Sequence, residues 1–157
     1  MIRPAVPSDT PTIAALIRDL AEYEHLEHEV VLDDAALHEH LFGARPYAEV
    51  LIAESDGHAV GFALFFHNFS TFLGRPGIYL EDLFVRPDAR GRGLGKALLV
   101  ELGRLARDRG CGRIEWAVLD WNEPSIAFYQ SLGARPKDEW ILYRLTGDAM
   151  SALADPS

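Results

Sequence analysis

Ile78-Tyr79-Leu80-Glu81-Asp82-Leu83-Phe84-Val85 followed by Arg90-Gly91-Arg92-Gly93-Leu94-Gly95-Lys96 is the stretch on which the fold turns. The first run is rich in aromatic and branched residues and reads as a strand; the second opens a helix. Glycines at 91, 93 and 95 remove the Cβ atoms that would hold a ligand off the backbone. Unpaired N–H groups and the positive dipole end at the start of the following helix favour an anion. The neighbouring arginine and lysine add charge-assisted contacts, so the run reads as a diphosphate cradle.

Spacing separates the kinds of phosphate loop. A Walker loop needs glycine five residues before Gly95, where Arg90 stands, and Ser or Thr after Lys96, where Ala97 stands. A Gly-x-Gly-x-x-Gly dinucleotide loop starting at Gly91 needs glycine at position 96, which is Lys96. What remains is Arg-x-x-Gly-x-Gly from Arg90 to Gly95.

The 157 residues are 48% hydrophobic, enough for one globular domain spanning 1–157. No apolar run approaches the ~20 residues of a membrane span, and Met1-Ile2-Arg3-Pro4 is no signal peptide, so a cytoplasmic protein is expected. One cysteine, Cys111, makes no internal disulfide and fits a reducing compartment. The net charge of −9 argues against a nucleic-acid partner. Eight carboxylates and no Lys or Arg lie between Asp19 and Ala44, whereas eight of the fifteen basic residues lie between Arg86 and Arg113. The acidic segment suits a cation and the basic one a polyanion, if a few residues of each face a shared cleft; otherwise both are solvated helix faces.

Outward from the opening stretch, the elements alternate. Ile2 to Val6 reads as a strand, then Ser8 as the cap of a helix with Pro11 in its first turn and Ile13, Leu16, Ile17 and Leu20 on one face. A shorter helix starts at Asp33. Glu49–Ser55 and His58–Asn68 flank Asp56-Gly57, a strong hairpin signal. A loop with Gly74, Pro76 and Gly77 precedes the strand ending at Val85. The helix after the glycine run sets Leu94, Leu98, Leu99, Leu102 and Leu105 on one face and stops near Gly110. Arg113 to Leu119 is a strand, Asn122 an N-cap with Pro124 just inside a helix that ends at Gly133, and Trp140 to Leu145 a last strand. This order predicts an α/β domain with a mixed sheet.

Tyr79 to Val85, the Arg90–Gly95 loop, Ala117-Val118-Leu119-Asp120-Trp121-Asn122-Glu123-Pro124-Ser125-Ile126-Ala127-Phe128-Tyr129, and Gly133-Ala134 together resemble the diamine and thialysine acetyltransferase branch of the GNAT N-acetyltransferases. Ile2-Arg3-Pro4-Ala5 and Leu20-Ala21-Glu22-Tyr23-Glu24 extend the likeness over nearly the whole chain. The resemblance implies the GNAT fold, with six to seven strands splayed between the fourth and fifth and helices on both faces. It also implies acetyl-CoA as cosubstrate and a homodimer with active sites near the interface.

Direct transfer requires an amine of pKa near 10.4 to lose a proton, an oxyanion to be stabilised and a thiolate to be protonated. Through the resemblance, Tyr129 is the general acid and Glu81 the carboxylate that draws the amine proton through water. Strand alternation sends Glu81 and Asp82 to opposite faces. Leu83, Phe84 and Val85 match the segment along which the pantetheine arm lies, with an amide of Leu83 or Phe84 as oxyanion donor. Arg90, Gly91, Arg92, Gly93, Leu94, Gly95 and Lys96 take the diphosphate. Asn122 and Ser125 match positions near the pantetheine, with plain helix capping as the rival reading.

Tyr23, Glu24, Glu81, Asp82, Glu115, Trp116 and Ala117 match the acceptor side, and the further acidic residue that reaches substrate is Asp138, Glu139 or neither. The Gly74-Arg75 loop and Val118-Leu119-Asp120-Trp121-Asn122 are nearer the thialysine type. The histidine pairs His25/His28 and His38/His40 lack the spacing of a helical metal site, so no metal is expected. Phe65, Phe66, Phe69 and Phe72 read as core and loop packing rather than a base-stacking platform, with Phe72 a candidate lining of the substrate tunnel. The expected activity is acetyl transfer to a small cationic amine; a non-catalytic acetyl-CoA module and a protein or peptide acetyltransferase stay open.

Overall fold

The computed structural model describes residues 1–156. The chain divides into two compact units, Met1–Ala117 and the remainder from Val118.

The first unit holds β1 (Ile2–Pro4), α1 (Thr10–Tyr23), α2 (Asp34–Phe42), β2 (Glu49–Ser55), β3 (His58–Ser70), β4 (Arg75–Val85), α3 (Leu94–Asp108) and β5 (Ile114–Trp116). The sheet runs in the order β1-β2-β3-β4-β5. Its first four strands are antiparallel and β5 joins β4 in parallel. The parallel step from β4 to β5 is crossed by α3, as such a step requires.

One face of the sheet buries the apolar sides of α1 and α2, the other that of α3. Ile13, Leu16 and Leu20 of α1 and Leu37 and Leu41 of α2 pack with Val50, Ile52, Phe62 and Phe84. On the other face Leu98, Leu102 and Ala106 of α3 pack with Leu51, Ala53, Ala63, Phe65, Ile78 and Leu80. The alternation of Leu51 and Ile52 between the two cores is the period-2 consequence of a strand covered on both sides.

Local chemistry sets the element ends. Asp56 and Gly57 both take left-handed backbone between β2 and β3, as a tight two-residue hairpin turn demands. The Asp33 carboxylate accepts from the amides of Ala35 and Ala36 and starts α2. Helix α1 begins later than Ser8: a short 3-10 turn at Pro7–Asp9 precedes it. Asp9 makes the connection there, accepting the Val6 amide at 2.8 Å and both terminal nitrogens of Arg3 at 2.7 and 2.9 Å. Arg3 also binds Glu54 on β2.

The second unit holds α4 (Glu123–Ser131) and α5 (Gly147–Ala154). Asn122 caps α4 through its side-chain oxygen on the Ser125 amide at 3.3 Å, and Gly133 takes the left-handed conformation past its end.

Three expectations are corrected. The sheet has five strands, not six to seven. Trp140 to Leu145 forms no strand: a β pattern becomes a strand only against a neighbouring edge, and these side chains are exposed instead, Tyr143 by 88%. No splay between β4 and β5 is seen either. They pair at Ile78↔Ile114, Tyr79↔Glu115 and Leu80↔Trp116, and β5 ends at Trp116, three residues short of the expected Leu119. Beyond Leu80, β4 runs on to Val85 without β5 beside it. Conversely, β4 begins at Arg75 inside the expected loop, and α5 has no counterpart in the sequence reading.

Candidate active site

The site in the first unit is built around an irregularity in β4. Asp82 lies opposite Leu64 and Leu80 opposite Phe65, so Glu81 is the extra residue of a β-bulge. Across it the strand turns over. Ile78 and Leu80 face the α3 core, whereas Phe84 faces the α1 core. Simple alternation therefore fails here, and Glu81 and Asp82 are not separated electrostatically: the charge of Glu81 acts on both the Asp82 carboxyl and the Tyr79 phenol.

Asp82 is the most perturbed acid of the site. Burial first, then the charges of Glu81 and Glu24, push its carboxyl up to about 7. Burial likewise raises Glu24 at the C-terminal end of α1. Three carboxylates from two elements thus act on one spot, and one of them binds a proton near neutrality. An arriving ammonium would relieve that repulsion, which is what an acceptor site for a cation requires.

The glycine run joins this spot through Arg90. Its guanidinium lies over the Tyr23 ring at 4.6 Å and the Phe84 ring at 5.8 Å. Its Nε donates to the Val85 carbonyl at 2.9 Å. Tyr23 and Phe84 are themselves in contact, with ring centroids 6.4 Å apart. Arg92 donates to Ser55 Oγ at 3.0 Å.

The backbone of the run fits a diphosphate. Gly91 and Gly93 have φ of 78° and 76°, and Gly93 is the N-cap of α3. A Cβ at Gly91, Gly93 or Gly95 would meet nothing within 4 Å, so open space lies over the backbone where a phosphate could approach. Leu94 opens α3, and Lys96 lies in its exposed first turn.

On β5 the expected acceptor residues part company. Glu115, opposite Tyr79, accepts from Asn68 Nδ2 at 3.3 Å and pairs with Arg113 Nε at 3.0 Å. Trp116 packs on the α3 core instead, as alternation dictates, and Ala117 follows the strand end. Leu83 and Val85 also turn toward the α3 core.

In the second unit, Asn122 is buried as the cap of α4, Ser125 gives it the capped amide, and Tyr129 lies one turn further on with its ring 5.7 Å from that of Phe128. Glu139 pairs with Lys137 at 2.9 Å and Asp138 is exposed.

No motif in the sequence draws attention to Asn68 or Arg113, and Tyr79 enters only as the first residue of the Tyr79–Val85 stretch. Their only signal is the period-2 spacing that puts Phe66 and Asn68 on one strand face. Among the described residues, no group of three His, Cys, Asp or Glu could hold a metal ion.

A glycine run at a helix start is thus linked through Arg90 to clustered carboxylates on a bulged strand. The chain belongs to the GNAT acetyltransferase family, whose sequence pattern matches residues 13–134. It is 39% identical to the thialysine N-epsilon-acetyltransferase of Bos taurus over 98% of this chain and 96% of that one. It is 35% identical to the L-ornithine N5-acetyltransferase NATA1 of Arabidopsis thaliana over 97% of this chain and 86% of that one. The fold matches that of a V. cholerae integron cassette protein with a TM-score of 0.83 at 24% identity, covering 99% of this chain and 97% of that one.

Proposed function

We propose that this N-acetyltransferase moves the acetyl group of acetyl-CoA directly onto a small cationic amine, of the thialysine, diamine or polyamine kind. The observation that carries the reading is the convergence of Glu24, Glu81 and Asp82 on one spot tied to the glycine cradle through Arg90. The names of the bovine and Arabidopsis relatives support it. Residues 1–157 act as one acetyltransferase domain, in the cytoplasm and as a homodimer.

Acetyl-CoA supplies an activated thioester. Gly91, Gly93, Gly95 and the first amides of α3 hold its diphosphate, with Lys96 and Arg92 adding charge and Leu83 to Val85 offering backbone to the pantetheine arm. Glu24, Glu81 and Asp82 bind the ammonium, and Glu81 accepts its proton through water, leaving a nucleophilic lone pair. An amide of Leu83 or Phe84 faces the negative charge that develops on the acetyl oxygen. Tyr129 gives a proton to the departing thiolate, and Asn122 and Ser125 hold the start of its helix.

Release of free CoA thiol with thialysine, lysine, ornithine, putrescine and spermidine tests the reading. At least one is expected to turn over well above the rate without acceptor. Equal background rates with all five, in a protein that still binds acetyl-CoA, would discard it in favour of a non-catalytic module.

A further inference from the structure

The carboxylates at Glu81 and Asp82 account for one end of the acceptor only. A second polar group lies two residues back along β4, where Tyr79 turns away from the α3 core that Ile78 and Leu80 enter, as Phe84 does beyond the bulge. There Tyr79 is paired with Glu115 of β5, and the interval to Glu81 is about 7 Å of strand. That length is comparable to the extended side chain of ornithine or lysine.

The group at the far end carries both signs of charge. Glu115 is held from two sides, by Asn68 Nδ2 at 3.3 Å and Arg113 Nε at 3.0 Å. Arg113 stands just before β5 and Glu115 within it, and their ion pair puts the two side chains together. The Arg113 side chain remains 46% exposed and that of Glu115 37%, which leaves both open to a ligand. Asn68 Oδ1 is buried without a hydrogen-bond partner, seated against Gly77, where any Cβ would collide with it. Packed there, the Asn68 amide keeps its Nδ2 toward Glu115.

The floor between the two ends is aromatic. Phe66 and Tyr79 lie with ring centroids 5.3 Å apart, and the phenol of Tyr79 is raised by burial and by Glu81 and Glu115, so it feels both ends. Two carboxylate groups with an apolar strip between them match a methylene chain with a cation at each end. The arginine adds something a plain diamine cannot use. A guanidinium recognises a carboxylate through a planar pair of N–H groups.

We propose that Arg113 and Glu115, braced by Asn68, read the α-carboxylate and α-ammonium of the acceptor, while its methylenes lie on Phe66 and Tyr79 and its terminal amine meets Glu81 and Asp82. The enzyme then prefers an α-amino acid with a terminal side-chain amine over the diamine of equal length. This rests on the reading that the reacting amine lies at Glu81 and Asp82.

The test compares lysine with cadaverine, which differs by the α-carboxylate alone. Wild type should show a higher kcat/KM for lysine, Arg113→Gln should lower that value tenfold or more while changing cadaverine less than twofold, and Arg113→Lys should restore part of the preference. Thermal melting of each variant separates loss of recognition from loss of fold. An unchanged lysine-to-cadaverine ratio in a folded Arg113→Gln protein, or a wild type that favours cadaverine, overturns the inference and leaves the amine-acetyltransferase reading standing. Turnover of neither compound nor any other amine overturns both.

Discussion

Asp82 shows how a single buried carboxyl couples stability to pH. A carboxyl raised to about 7 in the fold is favoured in its neutral form, against about 3.9 in the unfolded chain. Its contribution is therefore fully present below pH 4 and lost as pH rises through 7. Asp82→Asn keeps the shape and removes the titration. Urea unfolding should find this variant more stable than wild type by roughly 2 kcal/mol at pH 8.5, with the difference vanishing near pH 4. The same variant should raise KM for the amine, because one of three carboxylates facing the cation is gone; a gain in stability with unchanged KM would detach Asp82 from the acceptor site. The sequence named Glu81 and Asp82 correctly as neighbours in one motif but could not show their coupling. Period-2 reasoning separates adjacent strand residues, and a bulge has no signature in these side chains.

Arg90 carries the same lesson. As the first residue of Arg-x-x-Gly-x-Gly it is legible as a phosphate ligand, whereas its contacts to Tyr23, Phe84 and the Val85 carbonyl depend on residues distant in the chain. Arg90→Ala removes both a charge and a bridge between the acceptor and cosubstrate segments. Initial-rate kinetics should show KM rising severalfold for the amine as well as for acetyl-CoA. A rise confined to acetyl-CoA would mean that the stack on Tyr23 has no part in acceptor binding.

Among elements, the glycines divide by what their neighbourhoods require. Gly93 needs left-handed backbone at the start of α3 and has open space around it, so Gly93→Ala costs strain alone, about 1 kcal/mol. Gly77 has the opposite problem. Its backbone is ordinary, but a Cβ would strike Asn68 Oδ1, and the relief available is rotation of Asn68 away from Glu115. Gly77→Ala should therefore destabilise by about 1 kcal/mol, the worth of that hydrogen bond, and the double variant with Asn68→Ala should lose little more than Asn68→Ala alone. Additive losses in denaturant unfolding would show that backbone contacts rather than Asn68 fix Gly77.

Most elements were legible, because each rests on a local device. The Asp56-Gly57 hairpin, the Asp33 and Asn122 caps and the leucine stripe of α3 all stand where side-chain chemistry puts them. Trp140 to Leu145 failed as a strand because its pattern supplies side chains but no partner edge. Helix α5 went unread because Gly147 and Asp148 suggest a turn more strongly than a helix start.

For the whole molecule, charge segregation narrows once pairing is known. Of the eight basic residues from Arg86 to Arg113, five are tied to carboxylates: Arg86 to Asp19, Arg104 to Glu101, Arg107 to Asp108, Arg109 to Glu49 and Arg113 to Glu115. Exposed pairs of this kind add little stability, but they leave Arg90, Arg92 and Lys96 as the three cations of the stretch without a carboxylate partner among the described residues. The basic stretch is thus no general polyanion surface. Its free charge sits at the glycine cradle.

The apolar surface that remains calls for a partner at this same scale. Trp140, Ile141, Leu142 and Tyr143 are exposed by 76%, 76%, 77% and 88% in consecutive positions, far from the scattered single residues a monomer tolerates. The proposed homodimer would cover them with a second copy. Sedimentation equilibrium at micromolar concentration should give twice the chain mass, and Trp140→Ser with Tyr143→Ser should shift it toward the monomer without changing the far-ultraviolet circular dichroism. Because the two side chains lie outside both cores of the first unit, that unit's fold should survive the change. A wild type that stays monomeric and soluble at these concentrations would remove the dimer, and a dimer indifferent to both substitutions would place its interface elsewhere.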